Sequence, residues 1–132
     1  MKSAMKRKVK RVLVIDDNPV VLTVLQDFLR AAYAVDTATS ASQALGVVLS
    51  RPPDVILLDI KMPGMDGLSL LKSFRTMGLE TPVFMMTGYD STEVALDAFG
   101  NGANGYLPKP FDLLHLERLI ADALGAEPAF AD

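Results

Sequence analysis

Two short runs of exclusively apolar residues, at positions 12–15 and 55–58, most restrict how this 132-residue chain can fold. Neither run has a polar residue to face water, and each is too short for an ordinary helix. Each is therefore predicted to be a β-strand that is buried on both faces. A sheet built from such strands needs helices packed on both sides. Each run also leads directly into aspartate, since Asp16 and Asp17 follow the first and Asp59 follows the second.

Helical patterns alternate with predicted strands along the rest of the chain. Residues suited to capping indicate helix starts at Asp17 or Asn18, Ser40, Ser91 and Asp112. Five strands are predicted at about residues 12–15, 33–38, 55–58, 83–86 and 106–107, each followed by a helix. Because neighbouring parallel strands require a crossover, this (βα)5 order predicts an α/β fold, a three-layer α/β/α sandwich around a parallel sheet.

Charge is distributed unevenly along the chain, whose formal net charge is −3. Six of the 13 Lys and Arg residues lie within the first 11 positions, and all 16 Asp and Glu residues lie beyond them. We therefore predict a basic N-terminal extension (1–9), one folded domain (10–125) and a frayed C-terminal tail (126–132). The acidic folded part disfavours direct nucleic-acid binding, which depends on neutralising phosphate groups.

Other function classes are excluded by composition. The chain has no cysteine, so it can form neither a disulfide framework nor a zinc–thiolate site. No apolar run approaches the ~20 residues that a membrane-spanning helix requires. We expect a cytoplasmic protein without a membrane partner.

Polar residues follow the carboxyl ends of four predicted strands. Asp16 and Asp17 follow the first strand, Asp59 the third, Thr87 the fourth and Lys109 the fifth. Parallel strands place their carboxyl ends at one edge of the sheet, and ligands bind there where the strand order reverses. In a sheet ordered 2-1-3-4-5, the first and third strands are neighbours, so the three aspartates would converge.

Converging carboxylates repel one another and raise one another's pKa unless a cation offsets their charge. Oxygen ligands without nearby His or Cys favour Mg²⁺, with Mn²⁺ as an alternative. Lys109 adds a fixed positive charge and Thr87 a hydroxyl donor, which together with a metal suit the oxygens of a phosphoryl group. Asp59 would then be the nucleophile that forms an acyl phosphate. A blander interpretation treats these aspartates as helix caps and turn residues.

These residues, taken in order, resemble the receiver domain of bacterial two-component response regulators. The resemblance rests on Asp16-Asp17, on Asp59 with residues 62–67, on Thr87-Gly88 and on Lys109-Pro110-Phe111, and it covers about residues 10–124. It implies a flavodoxin-like fold with strand order 2-1-3-4-5. It also implies that Asp59 accepts a phosphoryl group from a sensor histidine kinase or phosphotransfer protein.

The resemblance assigns further roles around the phosphoacceptor. Asp17 and Asp59 would bind Mg²⁺ directly together with the backbone carbonyl of Lys61, and Asp16 would act largely through water. The protein would not be a turnover enzyme but a signalling domain with Mg-dependent self-phosphorylation and slow autodephosphorylation. Whether the Lys109–Pro110 peptide bond is cis is left open by the sequence.

The resemblance also implies a switch. Thr87 and Tyr106 match a pair that would change the face formed by the fourth helix, fifth strand and fifth helix, for signal output in a phosphorelay. From the residues alone, Tyr106 is an ordinary half-buried strand aromatic. Lys61 and Tyr89 would flank access to the phosphoryl group, so we expect a slow loss of phosphate.

Two further expectations concern the output face. The three glycines at positions 100, 102 and 105 predict a fourth helix that ends early or is mobile. A phosphorylation-dependent homodimer is a possible partner arrangement, and the downstream target is not readable from the sequence.

Three alternatives differ in sequence features that can be checked. A phosphatase of the haloacid dehalogenase type would carry two aspartates one residue apart on the first strand, but Asp16 and Asp17 are adjacent. A flavin-binding flavodoxin would need a hydroxyl- and glycine-rich phosphate loop where Asp16 and Asp17 stand. A degenerate receiver used only for binding would lack Asp59, Lys109 or the acidic pair, and all are present.

Overall fold

The computed structural model describes residues 9–62, 64–88, 92–110 and 112–125, of which Met65 and residues 92–94 are described by their backbone alone. Within these residues, five parallel strands form the central sheet in the order β2-β1-β3-β4-β5. The strands are β1 (Arg11–Ile15), β2 (Ala34–Ala38), β3 (Val55–Asp59), β4 (Val83–Thr87) and β5 (Gly105–Pro108). The predicted fold class and strand order are confirmed.

Helices connect the strands. They are α1 (Pro19–Leu29), α2 (Ala41–Ser50), α3 (Gly67–Thr76), α4 (Thr92–Gly100) and α5 (Leu113–Leu124). A small antiparallel hairpin, Lys61–Met62 with Met65–Asp66, lies between β3 and α3. None of the described helices is long and apolar enough to cross a membrane.

Side-chain caps begin the helices as the sequence indicates. The side chains of Asn18, Ser40 and Asp112 accept hydrogen bonds from backbone N–H groups in the first turns of α1, α2 and α5. Asn18, rather than Asp17, caps α1, and Pro19 occupies its first turn. The cap predicted at Ser91 lies outside the described residues.

The two faces of the sheet carry separate apolar clusters. One face, which includes Leu13, Ile15 and Met85, packs against residues of α2, α3 and α4. The other, which includes Val14 and Leu57, packs against α1 and α5. Every residue of β3 and β4 is buried, which explains why these strands lack the alternation typical of a half-exposed sheet. The result is the three-layer arrangement predicted from the sequence.

A buried polar pair ties α5 to Tyr33, which precedes β2 at the far edge of the sheet from β5. The hydroxyl of Tyr33 donates a hydrogen bond of 2.7 Å to Oε2 of Glu117, and both side chains are buried. Burial, followed by the neighbouring carboxylate, raises the pKa of Tyr33. A buried carboxylate requires such a donor because an unpaired one is costly to bury. This pair therefore helps to fix the position of α5.

Gly67 lies directly against the backbone at the end of β3. Its N–H donates to the carbonyl of Ile60 at 2.6 Å, and a Cβ at this position would overlap the backbone carbonyl oxygen of Asp59. A side chain would therefore push α3 away from the end of β3. By contrast, a Cβ at Gly46, on the exposed side of α2, would meet nothing within 4 Å.

We predict that Gly67→Ala lowers the free energy of unfolding by roughly 2–4 kcal/mol, because backbone atoms must move to relieve the overlap. Gly46→Ala is the matched control and should raise that free energy by roughly 0.5–1 kcal/mol, since alanine favours a helix interior. Urea unfolding of both variants measures the effect. Equal stability of Gly67→Ala and the unsubstituted protein would contradict the prediction.

Candidate functional site

Three aspartates meet at the carboxyl edge of the sheet. β1 and β3 are neighbours whose register pairs Ile15 with Leu58, so Asp16 and Asp59 follow at adjacent strand ends. One carboxylate oxygen each of Asp16, Asp17 and Asp59 lies within 4.8 Å of the others. The structure thus brings together the residues that the sequence singled out as metal ligands.

The three carboxylates differ in their surroundings. Asp16 is fully buried, Asp59 is 6% exposed, and Asp17 faces solvent. Oδ1 of Asp16 accepts a hydrogen bond from the backbone N–H of Asn18 at 2.9 Å. Asp16 is therefore held by local structure, whereas Asp17 and Asp59 line the accessible side of the cluster.

A single ammonium group lies between the two buried carboxylates. Nζ of Lys109 is 2.7 Å from Oδ2 of Asp16 and 3.5 Å from Oδ1 of Asp59. The backbone N–H of Lys109 donates to the carbonyl of Thr87 at 2.7 Å, and the Lys109–Pro110 peptide bond is cis. Lys109 thus contacts both carboxylates, and Asp16 makes the closer contact because it has no exposed surface through which water could solvate its charge.

This arrangement leaves the negative charge of Asp59 only partly offset by Lys109. Burial and then the charge of Asp16 raise the pKa of Asp59 to about 6, against the opposing effects of Lys109 and of a backbone hydrogen bond from Lys61. One ammonium group faces two buried carboxylates, so the site has less positive charge than negative charge. An all-oxygen donor set with this deficit fits a hard divalent cation.

The predicted switch residues lie on the two strands beside this cluster. Thr87 ends β4 and is buried, and Tyr106 lies in β5 opposite Met85. Side chains alternate along a strand, so Met85, Thr87 and Tyr106 point to the same face of the sheet. Tyr106 is half-buried and packs against the apolar cluster shared with α2, α3 and α4.

Of the two residues expected to flank access to the phosphoryl group, only Lys61 lies among the described residues. Lys61 is exposed in the hairpin that follows Asp59, where it lies opposite Asp66 in the backbone register of the two short strands. Tyr89 lies outside the described residues.

A groove beside the site was missed by sequence reasoning. It has a volume of about 300 Å³ and is lined by Val20, Val21, Val24, Lys109, Pro110 and Leu113. Val20 and Val24 are 67% and 45% exposed, although both are apolar. Their spacing of four residues on α1, away from the buried stripe of Leu22, Leu25 and Leu29, was the signal that could have revealed it.

Comparison with known proteins gives consistent matches. The family model described as the response regulator receiver domain matches residues 12–121. The DNA-binding transcriptional regulator NtrC of Salmonella typhimurium is 39% identical over 114 residues, which are 86% of this chain and 24% of that protein. The transcriptional regulatory protein ZraR of Escherichia coli O157:H7 is 40% identical over 114 residues, which are 86% of this chain and 26% of that protein. The chain therefore spans about a quarter of the length of these curated relatives.

A solved structure agrees over nearly its full length. The receiver domain of Francisella response regulator 1452 superposes with a TM-score of 0.82 at 31% sequence identity, covering 88% of this chain and 97% of that one.

The raised pKa of Asp59 gives a prediction for stability against pH. A carboxyl group whose pKa rises from 3.8 to about 6 on folding is harder to ionise in the folded state. It therefore favours folding less as the pH rises from about 4 to about 7. In chelator-containing buffer, Asp59→Asn should raise the free energy of unfolding at pH 7.5 by roughly 1–3 kcal/mol.

The same substitution should have little effect at pH 4, where Asp59 is protonated in the folded protein. Urea unfolding at both pH values measures the difference. A gain of equal size at pH 4 and pH 7.5 would show that charge is not its cause.

Proposed function

The chain belongs to the response regulator receiver domain family, and from this premise we propose that Asp59 is the residue that accepts the phosphoryl group. Receiver domains of response regulators accept a phosphoryl group as their function, so the question for this chain is which atoms do so. The observation that carries the proposal is the position of Asp59, nearly buried at the carboxyl edge of the sheet between Asp16, Asp17 and Lys109. Asp59 combines a pKa raised to about 6 with an ammonium group 3.5 Å away.

The transfer needs a nucleophile and a means to hold charge. A carboxylate oxygen of Asp59 attacks the phosphorus of a phosphohistidine, and the phosphorus–nitrogen bond breaks as its electron pair returns to the imidazole, which takes up a proton. Lys109, 3.5 Å from Asp59, is close enough to contact an oxygen of the new acyl phosphate. Thr87 at the end of β4 offers a hydroxyl donor to another oxygen.

Magnesium is the proposed cofactor of this site. Asp17 and Asp59 would hold it with the backbone carbonyl of Lys61, and Asp16 would act largely through water. The close grouping of three carboxylate oxygens and the raised pKa of Asp59 support this assignment, and Mn²⁺ suits the same ligands. When bound, the cation offsets negative charge on the transferring phosphoryl group.

The proposed consequence is a change in the face formed by α4, β5 and α5. Phosphorylation replaces the single negative charge of the Asp59 carboxylate with a phosphoryl group that carries roughly −1.5 to −2 charge units, and its new oxygens can draw the Thr87 hydroxyl toward them. Tyr106, on the same face of the sheet, can then occupy the space that Thr87 leaves. The chain acts as a signalling domain, and self-phosphorylation from small donors and slow autodephosphorylation are part of the proposal.

The partner is proposed to be a sensor histidine kinase or phosphotransfer protein. The groove lined by Val20, Val24 and Pro110 supports this, because it places an apolar docking surface next to Lys109. The family assignment gives no support to the phosphatase alternative. Several expectations stay predictions: the boundaries at 1–9, 10–125 and 126–132, the cytoplasmic location, the homodimer, and the slow phosphate loss attributed to Lys61 and Tyr89.

Phosphoramidate labelling tests the phosphoacceptor. We expect one phosphoryl group per chain in the presence of Mg²⁺ and none in Asp59→Asn, as read by intact mass. Lys109→Met should slow labelling by roughly tenfold or more, because it removes a donor that stabilises developing charge. Asp27→Asn, which changes an exposed carboxylate on α1, is the matched control and should label normally. Labelling that survives Asp59→Asn, or that ignores removal of Mg²⁺ by a chelator, would overturn the proposal.

The groove can be tested separately from the chemistry. Replacing Val20 and Val24 with serine should slow transfer from a phosphorylated histidine phosphotransfer protein by roughly tenfold, since exposed apolar area at an interface is lost. Labelling by phosphoramidate should be unchanged. Leu49→Ser, which alters an apolar residue 74% exposed on α2, serves as the control. A loss of both reactions would indicate damage to the site instead of to docking.

A further inference from the structure

Arg75, near the C-terminal end of α3, uses every N–H of its guanidinium group. Nη1 donates to the carbonyl oxygens of Leu79 and Thr81, both at 2.8 Å. Nε and Nη2 donate to the carbonyl of Gly102 at 3.1 and 2.8 Å, and Nη2 also donates to Oδ1 of Asn104 at 3.0 Å. One planar side chain thus joins the segment before β4 to the turn between α4 and β5.

The turn that Arg75 holds is closely packed. Asn104 makes two hydrogen bonds to the backbone of Val83. The backbone N–H of Asn104 donates to the carbonyl of Val83 at 2.8 Å, and Oδ1 of Asn104 accepts from the N–H of Val83 at 2.9 Å. Gly102 has a φ of +100°, and a Cβ there would lie 3.0 Å from Nε of Arg75. At Gly105, a Cβ would overlap the ring of Phe84.

These contacts give the glycines at 102 and 105 a role that the sequence did not suggest. Glycine-rich segments favour flexibility, and the sequence led us to expect a helix that ends early or moves. α4 extends to Gly100, and the two glycines that follow allow Arg75 and Phe84 to approach the backbone closely. Because Gly102 and Gly105 have no side chains, the segment 102–105 can pack closely against Arg75 and Phe84.

The segment 102–105 lies at one end of the face formed by α4, β5 and α5, which we call the signalling face. It joins the last residue of α4 to the first residue of β5, one position before Tyr106. It is at the amino end of β5, whereas Lys109 and Asp59 lie at the carboxyl edge of the sheet. The opposite end of α4 follows β4, which ends at Thr87.

We propose that Arg75 is a positioning residue that makes the C-terminal end of α4 a fixed pivot of the signalling face. Movement that begins at Thr87 would then be confined to the N-terminal part of α4 and to Tyr106, while residues 102–104 stay in place. The pivot rests on the proposed function, since it describes how a phosphoryl group at Asp59 would be read out.

The chemistry of the guanidinium group favours this role. Burial lowers the pKa of Arg75, but an arginine remains charged at neutral pH. Its rigid fork can bond two segments in one plane at fixed spacing, whereas the single ammonium of a lysine cannot reach both. The pivot therefore depends on the shape of the side chain as well as on its charge.

The first experiment measures hydrogen exchange without any phosphoryl analogue. In Arg75→Met, the amides of residues 102–106 should exchange at least about tenfold faster relative to those of β1 and β3, because their local opening becomes easier. Arg51→Met is the matched control: it removes an ion pair of 3.2 Å with Asp36 in β2, at the other edge of the sheet. It should leave exchange at 102–106 unchanged.

Arg75→Lys separates charge from shape. We expect it to exchange at 102–106 nearly as fast as Arg75→Met. Protection equal to that of the unsubstituted protein in either variant would overturn the proposed role of the fork. Should Arg75→Met fail to fold, Asn104→Ala removes the acceptor shared by Arg75 and Val83 and should show the same local effect.

The second experiment adds Mg²⁺ and beryllofluoride as an analogue of the phosphoryl group. In the unsubstituted protein, changes in protection should be largest in the N-terminal half of α4 and at Tyr106, and absent at 102–104. In Arg75→Met, the analogue should bind within about threefold of normal affinity, since no bond of Arg75 reaches the site, and the changes should spread to 102–104.

The two experiments fail in different ways. In the unsubstituted protein, beryllofluoride could change protection at 102–104 as much as in the N-terminal half of α4. That result would overturn the proposed pivot. A failure of beryllofluoride to bind would count against the proposed function at Asp59, while the exchange measurement would still decide whether Arg75 holds the turn.

Discussion

The ammonium group of Lys109 faces two buried carboxylates, and one positive charge does not balance two negative ones. Asp16 takes the closer contact of 2.7 Å and has no exposure, so Asp59 is left with the weaker contact of 3.5 Å. Burial and then the charge of Asp16 raise the pKa of Asp59, and the uncompensated negative charge is what the proposed divalent cation would offset. The proposed affinity for a cation and the proposed acceptance of a phosphoryl group at Asp59 therefore both rest on this imbalance.

The fold prevents the carboxylates of Asp16 and Asp59 from moving apart to reduce their repulsion. Asp59 is the last residue of a strand whose five members are all buried, and its backbone carbonyl lies against Gly67 at the start of α3. Asp16 is held by the N–H of Asn18, the residue that also caps α1. Each carboxylate is thus fixed by an element that the apolar clusters hold in place, so repulsion at the site is offset by packing elsewhere.

Two of the described contacts hold parts of the signalling face. α5 is tied to Tyr33, just before β2, by the buried pair of Tyr33 and Glu117, and the turn after α4 is tied by Arg75. The change proposed to follow phosphorylation of Asp59 lies between these two points and acts through Thr87 and Tyr106.

Local pattern was sufficient to predict much of this protein. Apolar runs determined β1, β3 and β4, capping residues determined the starts of α1, α2 and α5, and the alternation of strands and helices led to the parallel sheet. Parallel strands end at one edge, and the strand order implied by the family resemblance makes β1 and β3 neighbours, so the meeting of Asp16, Asp17 and Asp59 was expected. The strands and caps depend on interactions between near neighbours in the chain, which local sequence patterns record.

Tertiary structure alone decided how the charges and bonds are shared. Lys109 and Asp16 are 93 positions apart, and no sequence pattern indicates that Asp16 rather than Asp59 takes the shorter contact. Likewise, the five bonds of Arg75 join segments up to 29 positions apart, and they turn a glycine-rich stretch that suggests flexibility into a closely packed turn. Such pairings depend on distances and burial that exist only once the layers have packed, whereas the amino-acid order specifies only which residues are available to make them.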